Sequence, residues 1–182
     1  MNCTPVRWLA ALLLATASSF AQAQAAEAVS ESSVKAAFLY KFAGYVEWPR
    51  TDFHGPEAPF VIGVMRDDAV AAELQKLVPG RSVNGHPVVV RRMKPGEALR
   101  DLHILLIGGD DPDRAAIRSA QQQGVLVVTE SPLGLAAGGA INFMVVDERV
   151  GFEVSVEAAQ RSGHRISSRL LAVARRVVQR GE

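Results

Sequence analysis

The amino-acid sequence predicts an α/β protein with a single domain, in which a mostly parallel sheet is flanked by helices in a Rossmann-like three-layer arrangement. Short, continuous apolar runs, which are typical of strands buried on both faces, alternate with helical patterns along most of the chain. This alternation favours parallel strands joined by helices. Near the end of the chain, two strand patterns follow each other across a tight polar turn, which predicts a C-terminal antiparallel hairpin.

Residues 1–25 have the pattern of a cleavable export signal. Arg7 precedes the apolar run Trp8–Phe20, and Ala21–Ala25 alternates alanine with glutamine, which suits a signal peptidase. The apolar run is short for a membrane span, which needs about 20 residues. We therefore expect residues 1–25 to be removed and residues 26–182 to fold as one domain that does not itself span a membrane. A retained N-terminal anchor is the alternative interpretation.

The composition excludes several classes of site and partner. The only cysteine, Cys3, belongs to the export segment, so the mature chain has no thiolate nucleophile, no cysteine-bound zinc and no disulfide. The chain carries 20 Lys and Arg residues and 19 Asp and Glu residues, and loss of Arg7 with the signal makes the two numbers equal. This balance gives no reason to expect nucleic acid as a partner.

The first element of the mature chain is an amphipathic helix within Val34–Pro49. Ser32 and Ser33 are available as N-caps, and Pro49 ends the helix because it restricts the backbone of Trp48. At about 100° per residue, the apolar face holds Val34, Phe38, Leu39, Phe42, Tyr45 and Val46, whereas Ala36, Tyr40, Ala43 and Gly44 lie outside it.

Strands and helices alternate through the rest of the chain. Acidic caps at Asp67 and Asp110 begin helices, Gly80 and Gly124 follow their ends, and Asn84 opens a turn. The predicted strands are Phe60–Met65, His86–Met93, Asp101–Ile107, Val125–Thr129, Ile141–Asp147 and Val150–Ser155. The predicted helices run from Asp67 to about Val78, weakly over Pro95–Arg100, from Asp110 to about Gln123, over Ser155–Gly163 and over Ile166–Arg180.

Two glycine-rich segments are candidate ligand sites. Gly108, Gly109 and Asp110 follow a central strand, at the edge where open α/β sheets bind ligands, and a helix begins there. The alternative is a glycine turn followed by a capped helix, because two aspartates would repel a phosphate. The loop Gly134–Gly139 can approach a ligand closely or can simply let the chain cross the edge of the sheet.

Two groups of side chains are candidates for binding a partner protein. Tyr40 and Trp48 form an aromatic corner at the end of the first helix, and exposed aromatic residues are favoured as interface anchors. The alternative is that this corner locks the helix onto the sheet. Arg169, Arg175 and Arg176 cluster on the polar side of the predicted final helix, either as a docking surface for an acidic patch or as a solvated face.

The sequence shows no pattern that indicates catalysis, a cofactor or a metal. The four histidines have no metal-ligand spacing, and His103, inside an apolar strand, is interpreted as a core residue. There is no Gly-x-Ser-x-Gly nucleophile turn and no phosphate-binding glycine motif. We therefore predict no catalytic residue, no cofactor and no metal, and the protein is not expected to be an enzyme.

Two strings in the chain resemble the YfiR-like family of Gram-negative bacteria. The opening string AFLYKFAGYVEWP spans Ala37–Pro49. The closing pattern consists of AINF at Ala140–Phe143, VGFEV at Val150–Val154, Ala158-Ala159 and ISSRLLAVA at Ile166–Ala174. The resemblance extends from about Val34 to Val178 and therefore covers nearly the whole mature chain.

The resemblance implies a periplasmic repressor of an inner-membrane diguanylate cyclase. Such proteins bind the periplasmic sensory part of the cyclase, lower cyclic-di-GMP and thereby regulate biofilm formation. An outer-membrane lipoprotein draws the repressor away, and family members form homodimers. The disulfides linked to redox sensing in the best-known member have no counterpart here, because the mature chain lacks cysteine. The alternative is a periplasmic small-molecule binding module that feeds a sensor kinase or a transport system.

Overall fold

An eight-stranded, mostly parallel sheet forms the centre of the protein, which is a mixed α/β domain. The computed structural model describes residues 30–49, 53, 55 and 57–179, so the predicted export segment, residues 1–25, lies outside the described residues. The helices are α1 (Glu31–Tyr45), α2 (Asp68–Leu77), α3 (Arg114–Gln122), α4 (Val156–Arg161) and α5 (Ser168–Val173). The strands are β1 (Val46–Glu47), β2 (Phe60–Met65), β3 (Ser82–Val83), β4 (His86–Met93), β5 (Ile104–Ile107), β6 (Leu126–Thr129), β7 (Ile141–Val146), β8 (Arg149–Ser155), β9 (Arg165–Ile166) and β10 (Arg176–Val178).

The sheet reverses its strand order between β2 and β5. Its strands lie in the order β10-β8-β7-β6-β5-β2-β4-β3, and neighbours from β4 to β7 are parallel. β8 is antiparallel to β7, and β10 is parallel to β8. After β2 the chain moves outward to β4 and then returns to the other side of β2 as β5. Such a reversal leaves a crevice at the carboxyl ends of the two strands, where ligands of open α/β sheets commonly bind.

Each face of the sheet packs on its own apolar core. One core includes Phe42 of α1, together with side chains of α2, α4 and α5. The other includes Ile117 of α3. Along β6, Leu126 and Val128 belong to the first core, whereas Val127 belongs to the second. Both faces of this central strand are therefore buried, which explains its continuous apolar sequence.

Several predicted elements are confirmed. β2 and β4 occupy the predicted ranges Phe60–Met65 and His86–Met93. Asp67 caps α2 by accepting a hydrogen bond from the amide of Val70 at 2.9 Å. The helix α3 begins later than predicted, because Asp113 rather than Asp110 accepts the capping hydrogen bond.

The buried face of α1 differs from the predicted face. Ala36 and Ala43 are buried, although the sequence placed them outside, and the predicted face residue Tyr45 is 40% exposed. The helix also starts earlier, with Ser30 rather than Ser32 or Ser33 as its N-cap. The prediction followed the large apolar side chains, but α1 packs on both α2 and the sheet, and small alanines permit such close packing.

The predicted final helix, Ile166–Arg180, is wrong for most of its length. In the described part of this range, residues 166–179, only Ser168–Val173 is helical, and Arg176–Val178 forms the edge strand β10. The backbone becomes extended at Ala174, and the amide of Arg175 donates a hydrogen bond to the carbonyl of Phe152 at 2.8 Å. Pairing with β8 gives hydrogen-bond partners to the backbone of this segment, which is rich in β-branched residues. Helical periodicity within the segment does not predict this pairing, because β8 is distant in the sequence.

The predicted weak helix over Pro95–Arg100 is also absent. The amide of Glu97 donates to the carbonyl of Lys94 at 3.1 Å, which closes a turn. Gly96 has a φ of 80°, a left-handed conformation that interrupts a right-handed helix. Residues 94–103 therefore cross to β5 as an irregular connection.

Replacing Phe42 by alanine should strongly destabilise the protein. The Phe42 ring is fully buried, with its centroid 5.0 Å from that of Phe152 and 5.7 Å from that of Phe143. We expect the free energy of unfolding, measured by urea titration, to fall by about 3–5 kcal/mol. Tyr45→Ala, on the same helix but 40% exposed, should cost less than about 1 kcal/mol. Similar losses for the two variants would contradict the observed face of α1.

Candidate functional site

The crevice where strand order reverses is the candidate functional site. Arg66 and Asp67 follow β2, and the predicted ligand residues Gly108 and Gly109 follow β5. Gly108 lies so close to its neighbours that a Cβ atom there would stand 2.7 Å from the carbonyl oxygen of Arg66 and 2.8 Å from Oε1 of Glu130. The two strand ends therefore need glycine at position 108 in order to approach each other.

The side chain of Glu130 occupies the position that an anionic ligand would take. Its Oε1 accepts a hydrogen bond from the amide of Gly109 at 2.8 Å, and its Oε2 accepts one from Nζ of Lys35 at 2.6 Å. Nζ of Lys35 also lies 2.6 Å from Oε1 of Glu31. A carboxylate of the protein, rather than a bound phosphate, thus satisfies the amide after β5.

The Lys35 ammonium is held in its charged form by these carboxylates. Burial alone lowers the pKa of Lys35, but the hydrogen bonds and charges of Glu130 and Glu31 outweigh it and leave the pKa raised. Nearby, burial and the charge of Glu130 raise the pKa of Asp67, although the amide of Val70 acts in the opposite direction. The crevice therefore holds a compact set of coupled charges.

A cleft of about 250 Å³ opens beside this charged group. Of the three residues of the predicted ligand edge, Gly109 and Asp110 line this cleft, whereas Gly108 is buried. The cleft lining combines charged side chains with apolar side chains of β7. The lining residues are Glu31, Lys35, Gly109, Asp110, Glu130, Phe143, Met144 and Val145.

The second glycine-rich loop covers a row of hydrogen-bonded polar side chains. Oγ1 of Thr129 donates to Oδ1 of Asn142 at 2.7 Å, Nδ2 of Asn142 donates to Oε1 of Glu153 at 3.0 Å, and Nε of Arg176 donates to Oε2 of Glu153 at 2.8 Å. These residues are direct partners across β6, β7, β8 and β10. A Cβ atom on Gly134 would collide with Oγ1 of Thr129 and Oδ1 of Asn142, so only glycine lets the loop lie this close to the row.

The three predicted partner-binding arginines do not share one helix face. Arg169 is exposed on α5. Arg175 follows the helix and crosses over Gly151 of β8, where a Cβ atom would lie only 3.0 Å from Cγ of Arg175. Arg176 lies in β10, where its guanidinium binds the largely buried Glu153. Arg175 and Arg176 therefore attach the last strand to β8, and Arg169 is the one of the three on the exposed helix.

Tyr40 and Trp48 both make contacts within the protein. The hydroxyl of Tyr40 donates to the carbonyl of Ser82 at 3.3 Å, and the guanidinium of Arg81 lies 5.2 Å from the centroid of its ring. The indole N–H of Trp48 donates to the carbonyl of Ala43 at 2.7 Å. Both side chains are half-buried against the core, which is the arrangement expected if the corner locks the helix in place.

An aromatic and imidazole cluster lies at the opposite, amino edge of the sheet. The Trp48 ring lies edge-on to His164 and Phe60, with centroids 4.7 Å and 4.9 Å away. His103 is buried, as predicted, and its Nδ1 accepts a hydrogen bond from the amide of Val61 at 3.1 Å. Burial and the nearby His103 lower the pKa of His164 to about 4.

The described part of the chain contains no group of three or more His, Cys, Asp or Glu side chains placed to bind a metal ion. None of its helices has the length and apolar character needed to cross a membrane. The arrangement at the crevice offers an ammonium, carboxylates and an apolar wall, which suit recognition of another molecule through charge and shape.

A scan against known protein families matches residues 32–175 to the family described as YfiR/HmsC-like. The chain belongs to the YfiR/HmsC-like family. The matched segment runs from α1 to the residue before β10, so it contains the Lys35–Glu130 contact and both glycine-rich loops. YfiR/HmsC-like proteins are periplasmic and regulatory. A search of the curated proteins finds no match to the chain.

Sequence reasoning missed the two charged residues at the centre of the site of this YfiR/HmsC-like protein. Lys35 and Glu130 are 95 positions apart, so nothing local pairs them. A partial signal was present, because Glu130 directly follows a buried strand and its side chain must lie at the same edge as Gly109. The helical position of Lys35 gave no such indication, since a single lysine normally lies on a solvated face.

The Lys35–Glu130 pair should contribute measurably to stability. In a double-mutant cycle with Lys35→Met and Glu130→Gln, we expect a coupling free energy of about 1–3 kcal/mol, because both side chains are largely buried. The exposed pair of Arg92 and Asp68, whose nitrogen and oxygen lie 2.8 Å apart, is the control and should couple by less than about 1 kcal/mol. Equal coupling in the two cycles, measured by urea unfolding, would contradict a structural role for Glu130.

Stability should fall in mild acid because of His164. Its pKa is about 4 in the folded protein and 6.5 in the unfolded chain, so the unfolded chain binds a proton first as the pH falls. Well above pH 6.5, protonation of His164 costs the folded protein no stability. As the pH falls toward 4, the free energy of unfolding decreases by roughly 3 kcal/mol, because only the unfolded chain binds the proton readily. Urea unfolding near pH 7.5 and pH 4.5 should show a smaller acid loss for His164→Asn than for the wild type. Identical losses would show that His164 does not resist protonation.

Proposed function

We propose that the protein is a periplasmic regulator that binds the periplasmic sensory part of an inner-membrane diguanylate cyclase and holds it inactive. Membership of the YfiR/HmsC-like family over residues 32–175 is the observation that carries this proposal. Repression lowers cyclic-di-GMP and thereby limits biofilm formation. Residues 1–25 are proposed to export the chain to the periplasm, where residues 26–182 act as the mature domain.

The proposed mechanism is competition between partners. The cyclase and an outer-membrane lipoprotein would each bind the repressor, and binding to one would withdraw it from the other. The change in cyclase activity is then set by the difference between the two binding free energies. The active unit is proposed to be a homodimer. Because the mature chain has no cysteine, this control operates without disulfides.

Arg169 is the proposed partner-contact residue among the three arginines. Its side chain is exposed on α5, and the apolar side chain of Val173 on the same helix is also exposed. A charged residue beside an apolar one is typical of the border of a protein interface. Tyr40, Trp48, Arg175 and Arg176 are proposed to support partner binding indirectly, since they hold α1 and β10 in place.

A second candidate function is small-molecule binding that feeds a sensor kinase or a transport system. The cleft of about 250 Å³ at Gly109 and Asp110 favours it, since the cleft lies at the edge where such sheets bind ligands. The internal contact of Glu130 with Gly109 limits which ligands can enter, because an anion would have to displace that carboxylate.

Deleting the gene should raise cyclic-di-GMP and increase biofilm. The expected cause is release of the cyclase from repression, so a second deletion of the cyclase gene should return the nucleotide to its low level. The measurement is the cellular cyclic-di-GMP content of the two strains and of the complemented strain. An unchanged content in the single deletion would exclude the repressor function. A metabolite that raises the melting temperature of the purified protein would then support the second candidate.

A further inference from the structure

The tip of the β7–β8 hairpin presents apolar side chains to solvent. Val145 is 50% exposed and Val146 is 36% exposed, whereas Phe143 on the same strand is buried. Exposed β-branched residues at the end of a hairpin add nothing to the core. Side chains of this kind, grouped beside clefts, are typical of interaction surfaces.

Clefts lie on both sides of Val145. The cleft of about 250 Å³ at the carboxyl edge and a neighbouring cleft of about 280 Å³ share Val145 and Glu31 in their walls, so the two adjoin. The second is also lined by Val34, Glu148 and Arg149. Together they form one groove between the first turns of α1 and the hairpin tip. We refer to this pair of clefts as the tip groove.

The tip groove carries an excess of negative charge. Its walls hold the carboxylates of Glu31, Asp110, Glu130 and Glu148 against the cations of Lys35 and Arg149. Lys35 is already paired with Glu31 and Glu130. Within the described part of the chain, neither Asp110 nor Glu148 belongs to an ion pair. A partner that brings a positive charge to this groove would therefore meet carboxylates available to bind it.

The turn that carries Glu148 has a backbone conformation that residues other than glycine rarely adopt. Asp147 and Glu148 are the two turn residues, with φ of 50° and 59°, which is the left-handed region. Tight hairpins with two such residues favour Asn-Gly or Asp-Gly, since glycine adopts this conformation without strain. Glutamate in the second position places a carboxylate at the tip where glycine would fold more easily. Strain of this kind is found where a side chain has another role.

We propose that the tip groove binds a segment of the partner protein in which a basic side chain lies beside an apolar one. This inference rests on the proposed function and identifies a surface that would serve it in addition to Arg169 on α5. The basic side chain would lie against Glu148, and the apolar one would pack on Val145, which lines the same cleft. A second copy of the chain fits poorly, because two-fold symmetry would bring the carboxylates of one groove against those of the other.

The test measures binding of the purified mature protein to the full-length cyclase in nanodiscs. Val145→Ser and Glu148→Lys should each weaken binding and so raise the dissociation constant by about tenfold or more. The matched controls are Val89→Ser, which is 42% exposed on β4, and Asp101→Lys, an exposed carboxylate at the amino edge of the sheet. Both controls should bind within about twofold of the wild type.

Glu148→Gly separates binding from folding. We expect it to raise the melting temperature by a few degrees, because glycine adopts the left-handed conformation without strain. The same substitution should weaken binding, because it removes the carboxylate. Asp101→Gly relieves a φ of 62° and should raise the melting temperature without changing affinity. Opposite changes in stability and affinity for Glu148→Gly alone would support the tip groove.

Two outcomes would overturn the inference in different ways. Failure of the wild type to bind or inhibit the cyclase would overturn the proposed function and the tip groove with it. Tight binding by the wild type, with equal affinities for Val145→Ser, Glu148→Lys and their controls, would leave the proposed function standing. That second result would show that the partner docks elsewhere.

Discussion

The carboxylate of Glu130 joins three distant segments at the point where the sheet reverses its strand order. It accepts a hydrogen bond from the amide of Gly109 after β5, and it forms an ion pair with Lys35 of α1. Parallel strands that end side by side expose backbone amides, and in many α/β proteins a bound anion satisfies them. In this YfiR/HmsC-like protein the residue after β6 supplies that anion, so the central crevice is held together by the chain itself.

This contact shapes what the carboxyl edge can recognise. The carboxylate of Glu130 accepts the hydrogen bond of the Gly109 amide and neutralises the ammonium of Lys35, so the protein itself supplies the anion of the crevice. The cleft that remains is bordered by carboxylates and by the apolar side chains of β7. A surface of that composition suits a partner with basic and apolar groups better than an anionic cofactor. A role in regulation by contact with another protein agrees with these properties.

The polar row across β6, β7, β8 and β10 explains how the C-terminal part of the sheet is completed. Asn142 and Glu153 are buried, and each is satisfied by its neighbour across the strands. Arg176 ends the row and neutralises Glu153, which attaches the last strand to the sheet. A buried carboxylate without this guanidinium would be costly, so the row favours β10 over a longer α5.

Local patterns predicted the elements whose causes are local. The continuous apolar run Phe60–Met65 and the cap Asp67 determined β2 and the start of α2, because burial on both faces and an acidic N-cap need no distant partner. The glycines at 108 and 109 likewise predicted the end of β5, because a strand that is buried on both faces stops where glycines interrupt its apolar run. Nothing local paired Lys35 with Glu130, because residues 95 positions apart meet only after the sheet has formed.

Two further features depended on contacts that the chain makes only when folded. The segment after Ala174 has helical periodicity, yet it becomes β10 because the exposed edge of β8 offers hydrogen bonds and Glu153 offers a charge partner. The buried face of α1 includes Ala36 and Ala43 because α2 and the sheet both pack against this helix. Sequence alone therefore specified the class of fold, the family and most of the strands through apolar runs, caps and turns. The charged crevice, the last strand and the packing of the first helix were decided by tertiary contacts, whose free energies outweigh local preference.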